Sequence, residues 1–170
     1  MATHVEGLDN ILKNLNKELS KLKGNVQKGL TLAMTVIKGK SMSKTPVDVG
    51  NLRASHYLVT GDGKVDTSAN FNSSTSSGAK VAAEHQGHIS ESKSNAARKQ
   101  TPFAEIGCTA FYAVYVHENV EMKWKGLPRH KPHKGFYWDP QGEATAKFLE
   151  KAISEGQGQI LTTVKRFAKL

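Results

Sequence analysis

Eight apolar residues, Leu8, Leu12, Leu15, Leu19, Leu22, Val26, Leu30 and Ala33, recur in steps of four and three through the first fifth of the chain. That spacing is the signature of a helix carrying one continuous apolar stripe, the kind that lies against another helix or a sheet. Ile11, Val36 and Ile37 widen the stripe. A helix from about Val5 to Ser43 would be ~58 Å long at 1.5 Å per residue. A small domain is narrower than that. The helix must overhang the body, bend at Gly24 or Gly29, or lie on another subunit. Whatever else the chain does, it has to accommodate this rod.

The rod has a clear end. In Thr45-Pro46-Val47-Asp48-Val49-Gly50-Asn51-Leu52-Arg53-Ala54-Ser55 the proline forces its predecessor out of helical geometry. Asp48, Gly50 and Asn51 are residue types that tolerate a tight reversal. From Leu52 to Thr60 the pattern alternates weakly and predicts a strand. Residues 61–100 hold Gly61-Asp62-Gly63 and the Ser- and Asn-rich runs Asn70 to Gly78 and Ser90 to Asn95, with few large apolar side chains beyond Val65, Phe71, Val81 and Ile89. Such a composition predicts a long mobile loop, with a hairpin near Ala79 to Glu84 as its one ordered piece. Phe103 to Thr109 alternates and predicts a core strand, whereas Phe111 to Val116 fits a strand or a short helical turn equally well. A second helical region is expected from about Gly142. Its apolar faces are Phe148, Leu149, Ala152 and Ile153, then Ile160, Leu161, Val164, Phe167 and Ala168. Gly156-Gln157-Gly158 is placed to break or kink it, which leaves residues 156–170 as a helical extension. The sum is one α+β domain, a long N-terminal helix and a C-terminal helix packed on a small antiparallel β-sheet with a large flexible loop.

Little here points to chemistry. The lone Cys108 excludes an intrachain disulfide, and its strand setting reads as a buried, inert thiol. His130-Lys131-Pro132-His133 puts two imidazoles three apart, but Pro132 opposes a helix and the surrounding cations oppose a divalent ion. Gly61-Asp62-Gly63 lacks the spacing of a phosphate-binding loop, and no nucleophile elbow occurs. No stretch approaches the ~20 apolar residues of a membrane span, and the first residues lack the pattern of a signal peptide. The expectation is a protein without catalysis, metal or cofactor.

Net charge is the remaining signal. The formal value is +9 over 170 residues, and Lys123, Lys125, Arg129, Lys131 and Lys134 follow one another without an intervening acid. With Trp124 between two lysines, this segment is a candidate DNA-facing basic patch of the sequence-independent kind, or simply a solvated loop. A small basic nucleic-acid-binding protein is therefore the alternative reading.

Pro46-x-Asp48-x-Gly50-x-Leu52-Arg53-x-Ser55, followed downstream by Tyr112-Ala113-x-Tyr115-Val116-x-Glu118, resembles the HK97 gp10-like family of tailed-phage head–tail joining proteins. Gly135-Phe136-Tyr137-Trp138-Asp139-Pro140, leading into Ala146 to Ala152, is similar to that family's approach to its last helix. Where the family often has a glycine-threonine step after its Tyr-Val-x-Glu segment, this chain has Asn119-Val120. The resemblance implies a non-enzymatic virion protein, made in the host cytoplasm and assembled as a hexameric ring in the neck or tail-completion layer. Its partners would be further copies of itself, a head–tail adaptor, tail tube or terminator proteins, and genomic DNA in the lumen, with no membrane. Pro46, Asp48, Gly50, Leu52 and Arg53 would shape the helix–sheet junction. Tyr112, Tyr115, His117, Glu118, Trp124, Tyr137 and Trp138 would build core and interface.

Overall fold

The leucine stripe forms a single unbroken helix, α1 (Leu8–Lys44), which at 37 residues is ~55 Å long. The computed structural model describes residues 7–72, 74, 76–121, 128 and 143–169. After α1 come a one-turn helix α2 (Asn51–Ala54), strands β1 (His56–Thr60) and β2 (Val65–Thr67), and helix α3 (Ser76–Ala97). Strand β3 (Ala104–Cys108), the short helix α4 (Ala113–Glu118) and the C-terminal helix α5 (Phe148–Ala168) complete the order. The three strands form an antiparallel sheet in the order β2-β1-β3. With its two terminal helices and small sheet, the fold is α+β.

Sheet and helices are layered by the two-residue alternation of β1. His56 points to α1, where its ring meets Ser41. Tyr57 and Val59 point the other way, to α3: Val59 clusters with Ile89 and Ala96, and the Tyr57 hydroxyl meets Ser92. A second core cluster gathers Leu52, Val81, Ala110, Ala113 and Phe148.

Helix α5 runs antiparallel along α1, and glycines set the approach. A Cβ built on Gly156 would sit 1.9 Å from Ile37 Cδ1, and one on Gly29 would sit 3.0 Å from Phe167 Cβ and 3.1 Å from Val164 Cα. Gly156 therefore does not break α5, and α1 runs on unbroken through Gly29; both are contact points between two continuous helices. Lys44 pairs with Glu155 at 3.1 Å and Lys40 donates to Gln159 at 3.1 Å along the same seam. The segment after Gly156 is thus part of α5, not an extension distinct from it.

The junction after α1 is tightly tied. Thr45 leaves the helix with extended dihedrals ahead of Pro46, and its hydroxyl donates back to Ser41 O at 2.7 Å. Arg53 Nη2 donates to Thr45 O at 3.0 Å, closing the reversal from the far side. Gly50 has φ +88°, the left-handed conformation that glycine adopts without a Cβ penalty. Residues Leu52 to Ala54 accordingly form the turn of α2 and not the start of the strand, since Ala54 N donates to Gly50 O at 2.9 Å. Phe111 to Val116 resolves as the approach to and first turn of α4. Helix α5 begins at Phe148, later than the sequence suggested, because Lys147 takes a left-handed φ of 56° and starts the helix there.

The largest correction concerns residues 61–100. The expected mobile loop instead contains β2 and the 22-residue α3, and the expected hairpin at Ala79 to Glu84 lies inside that helix. Beyond Gly78 in its first turn, Val81, His85, Ile89, Ser92 and Ala96 are its buried residues. Their steps of four and three are helical, but two of the five are polar and one is alanine, so the composition hid the stripe.

The glycine seam generates a contrast. Gly156→Leu should destabilise the fold by about 2 kcal/mol, because Ile37 is fully buried and has no room to yield. Gly158→Ala, with nothing within 4 Å of the new methyl, should stabilise it by about 0.5–1 kcal/mol. Chemical denaturation of both variants is the measurement, and equal effects would contradict the seam.

Candidate interaction surface

The α4–α5 joint is where several of the residues singled out in the sequence meet. His117 Nδ1 lies 2.7 Å from Glu118 Oε1, and Glu118 also pairs with Lys147 Nζ. Lys147 in turn reaches Glu150 at 3.5 Å. The backbone joins the same residues, with Lys147 N donating to His117 O at 2.7 Å. The hydrogen bond from Lys147, then that from His117, holds the Glu118 carboxyl below its usual range. The His117 ring stands edge-on to Phe148, centroids 4.9 Å apart, and its Nε2 is buried without a hydrogen-bond partner among the described residues.

Two shallow grooves flank this joint. One, of about 400 Å³, is lined by His117, Leu149, Glu150, Ile153, Ser154 and Gln157. The other, of about 190 Å³, shares His117 and Leu149 and adds Cys108, Val114, Glu118 and Phe148. Around them Phe111, Val114, Tyr115 and Val120 stand 51–73% exposed. Lys80 Nζ sits 4.1 Å above the Phe111 ring. Tyr112 turns inward against the Leu52 cluster, and burial raises its hydroxyl to about 12. So Tyr112 is a core residue, Tyr115 is a surface residue, and His117 with Glu118 forms the rim between them. Trp124, Tyr137 and Trp138, and the basic residues Lys123, Lys125, Arg129, Lys131 and Lys134, lie outside the described residues, as do His130 and His133.

Sequence reasoning missed a buried polar cluster beneath this surface. His56 Nε2 faces Ser41 Oγ at 3.0 Å, Cys108 Sγ at 3.3 Å and Thr45 Oγ1 at 3.4 Å. Its Nδ1 sits 3.2 Å from the carbonyls of Leu52 and Arg53, so Nδ1 carries the proton and donates. Burial lowers the imidazole to about 4, against the opposing pull of those carbonyls. Burial likewise pushes the Cys108 thiol up to about 12. The pair has the elements of a cysteine–histidine couple but the wrong electrostatics for one. Both shifts keep the proton on sulfur, where a nucleophile would need it on nitrogen. A second buried histidine, His85, bridges Thr67 Oγ1 at 2.9 Å and Thr109 Oγ1 at 2.7 Å, and burial lowers its pKa too. Both imidazoles are ties between strands and helices.

Among the described residues no three His, Cys, Asp or Glu side chains converge as a metal site, and no helix is long and apolar enough to cross a membrane. No family model, curated protein or solved structure matches this chain.

The neutral imidazole makes stability depend on pH. Below about 6.5 the unfolded chain takes up a proton on residue 56 that the folded chain refuses until about pH 4. Stability should therefore fall as pH drops through that window, by about 3 kcal/mol in all from this group. His56→Gln lowers stability at pH 7 but should flatten the slope between pH 6.5 and 4 by close to one proton, read from urea denaturation at stepped pH. An unchanged slope would show that His56 is not held neutral. Separately, native Cys108 should alkylate at pH 8 on the order of 10³-fold more slowly than in the unfolded chain.

Proposed function

We propose that this protein is a structural subunit of a tailed-phage particle, assembling with copies of itself into a ring in the neck or tail-completion layer. The observation that carries the reading is convergence. Three short segments far apart in sequence bear the family resemblance, and each contributes to one core cluster: Leu52 from the first, Tyr112, Ala113 and Val116 from the second, Phe148 and Leu149 from the third. Residues placed together by a fold are what a shared fold would preserve, which favours the resemblance over coincidence.

The surface above that cluster supports the same reading. Exposed Phe111, Val114, Tyr115 and Val120 around grooves rimmed by His117, Glu118 and Lys147 combine an apolar centre with a charged edge. That is the composition of a protein–protein contact. In this reading the groove between α4 and α5 receives a neighbouring copy or an adaptor or tail protein, and DNA passes without sequence-specific contact. The protein then acts by shape and assembly in the virion and catalyses nothing.

The test is the mass of the purified protein in solution, alone and with head and tail components. A defined ring, formed alone or on mixing, is the expected result. Val114→Asp with Tyr115→Asp should weaken that assembly by about 10- to 100-fold while leaving the fold intact, because both side chains are exposed. A protein indifferent to those components, binding DNA with a steep salt dependence lost in Lys123→Glu, Lys125→Glu and Lys131→Glu, would establish the nucleic-acid reading instead.

A further inference from the structure

Helix α1 is anchored along only part of its length. Its ties to the body include Gln27, whose side-chain amide exchanges two hydrogen bonds with the Phe103 backbone at 3.0 and 2.9 Å, and Gly29, against Val164 and Phe167, and it borders the body as far out as Lys23. Residues 7–21 are all exposed. Within that stretch Leu8, Leu12, Leu15 and Leu19 are 47–61% exposed and Ile11 is 65% exposed. These leucines alternate as d, a, d and a positions of a heptad frame that runs on through Leu22, Val26 and Gly29 into the α5 contact. The bare stripe is therefore the direct continuation of the face that α5 covers further along.

Residues 122–142 are too few to reach the outer end of the stripe. Glu143, the first described residue after 128, is anchored at the far end of α1, where Ser43 Oγ donates to it at 3.0 Å. An out-and-back excursion over residues 122–142 spans at most ~37 Å at ~3.4 Å per residue. Leu12 and Leu8 lie ~46 and ~52 Å from Ser43 along the helix.

We propose that the stripe is covered by the same stripe of a second copy, in an antiparallel two-helix pairing that sets Leu8 against Leu19 and Leu12 against Leu15 of the other chain. Orientation follows from α5. A parallel second α1 seated on this face would have to continue, beyond Val26, through the space that Val164 and Phe167 occupy against Gly29. An antiparallel one ends its overlap where the C-terminal end of α5 lies and extends that helix's line along α1. Charge placement agrees. Lys13, Lys17 and Lys21 fall at the outer b, f and c positions. In this register the flanks bring Ile11 to the stem of Glu18 and Asp9 to Asn16, with no like-charged contact. Glu18 holds only an exposed partner, Lys21 at 3.6 Å on its own helix, which is readily given up. The pairing is two-fold and closed, and it does not depend on the phage reading. With four leucines and an isoleucine per copy it stands at the small, weak end of specific interfaces.

Site-specific crosslinking of the full chain tests this, in a Cys108→Ser background. Leu8→Cys and Leu19→Cys, mixed, should give a disulfide-linked dimer under mild oxidation, while each alone should give little. Efficient crosslinking of each variant with itself would mean a parallel pair and would overturn the proposal. Without cysteine variants, the wild type should double in mass toward about 0.5 mM, and Leu12→Glu with Leu15→Glu should raise the dissociation constant at least 10-fold. Both positions are exposed, so thermal unfolding of dilute monomer should be unchanged. A wild type that stays monomeric at that concentration, or self-associates no more tightly than the double variant, also overturns it. A ring that survives Leu12→Glu with Leu15→Glu but is lost in Val114→Asp with Tyr115→Asp separates this interface from the proposed assembly surface.

Discussion

The close approach of α1 and α5 through Gly156 is the contact on which the rest of the architecture hangs. Without a side chain at that position, Ile37 can drive its δ-methyl onto the α5 backbone and become fully buried. Fixing α1 there fixes the residues one turn on and beyond. Lys38 reaches across to Asp66 at 2.6 Å and pins β2, and Ser41 and Thr45 meet His56 at the start of β1. The same contact sets where α5 starts. Phe148, at its first turn, then lies between the rings of His56 and His117, at 5.8 and 4.9 Å. One missing methyl thus aligns the long helix, the central strand and the α4–α5 surface.

The interior built on that frame is unusually polar for its size, and the polarity has a consistent logic. Alongside the Lys38–Asp66 ion pair, the ties at His56, His85 and Glu105 are neutral groups that can both donate and accept, or a carboxylate with donors converging on it. His56 joins α1 to β1 and β3; His85 joins α3 to β2 and to Thr109 just past β3. Glu105 accepts from Tyr57 at 2.7 Å and Ser92 at 2.8 Å, linking both neighbours of the α3 face. Such ties cost desolvation and return specificity of register, because a one-residue slip of β1 would turn His56 away from every partner. They also explain why Cys108 and His56 are neighbours without being a catalytic pair. The geometry that makes the imidazole a structural acceptor keeps it from becoming a base.

What could be read in the sequence divides along this same line. Helices α1 and α5 and strand β3 were legible because leucine, isoleucine, valine and phenylalanine recur in them at the spacing of the element, whether the position is covered, as Ile37 and Phe148 are, or exposed, as Leu8 to Leu19 are. Helix α3 was invisible because His85, Ser92 and Ala96 fill positions that elsewhere hold leucine. Their partners, Thr67, Thr109 and Glu105, are distant in sequence, so nothing local showed that those polar groups would be satisfied. The candidate surface was half legible. His117 and Glu118 stood out as neighbours, but Lys147, which completes their ion pair, lies 29 residues away. Its left-handed backbone has no signature in a lysine. Glycine told the opposite story from the expected one: Gly156 and Gly29 looked like helix breakers, whereas tertiary contact made each a point of close packing.

The outer half of α1 violates the economy visible everywhere else in the chain. A helix held only by its own hydrogen bonds gains nothing from leucine over lysine, glutamate or alanine, since all are good helix formers. Apart from Ile11 beside the stripe, the other positions from Asp9 to Lys21 are lysine, asparagine, serine, aspartate and glutamate, the composition of a solvated surface. The leucines nevertheless keep the same phase through Leu8, Leu12, Leu15 and Leu19 as through the covered positions that follow. Phase is the informative quantity, because apolar residues retained for helix propensity alone would scatter around the circumference. A stripe held in register over two uncovered heptads is the mark of a face that meets a helix. Within this chain, α5 ends before it can be that helix.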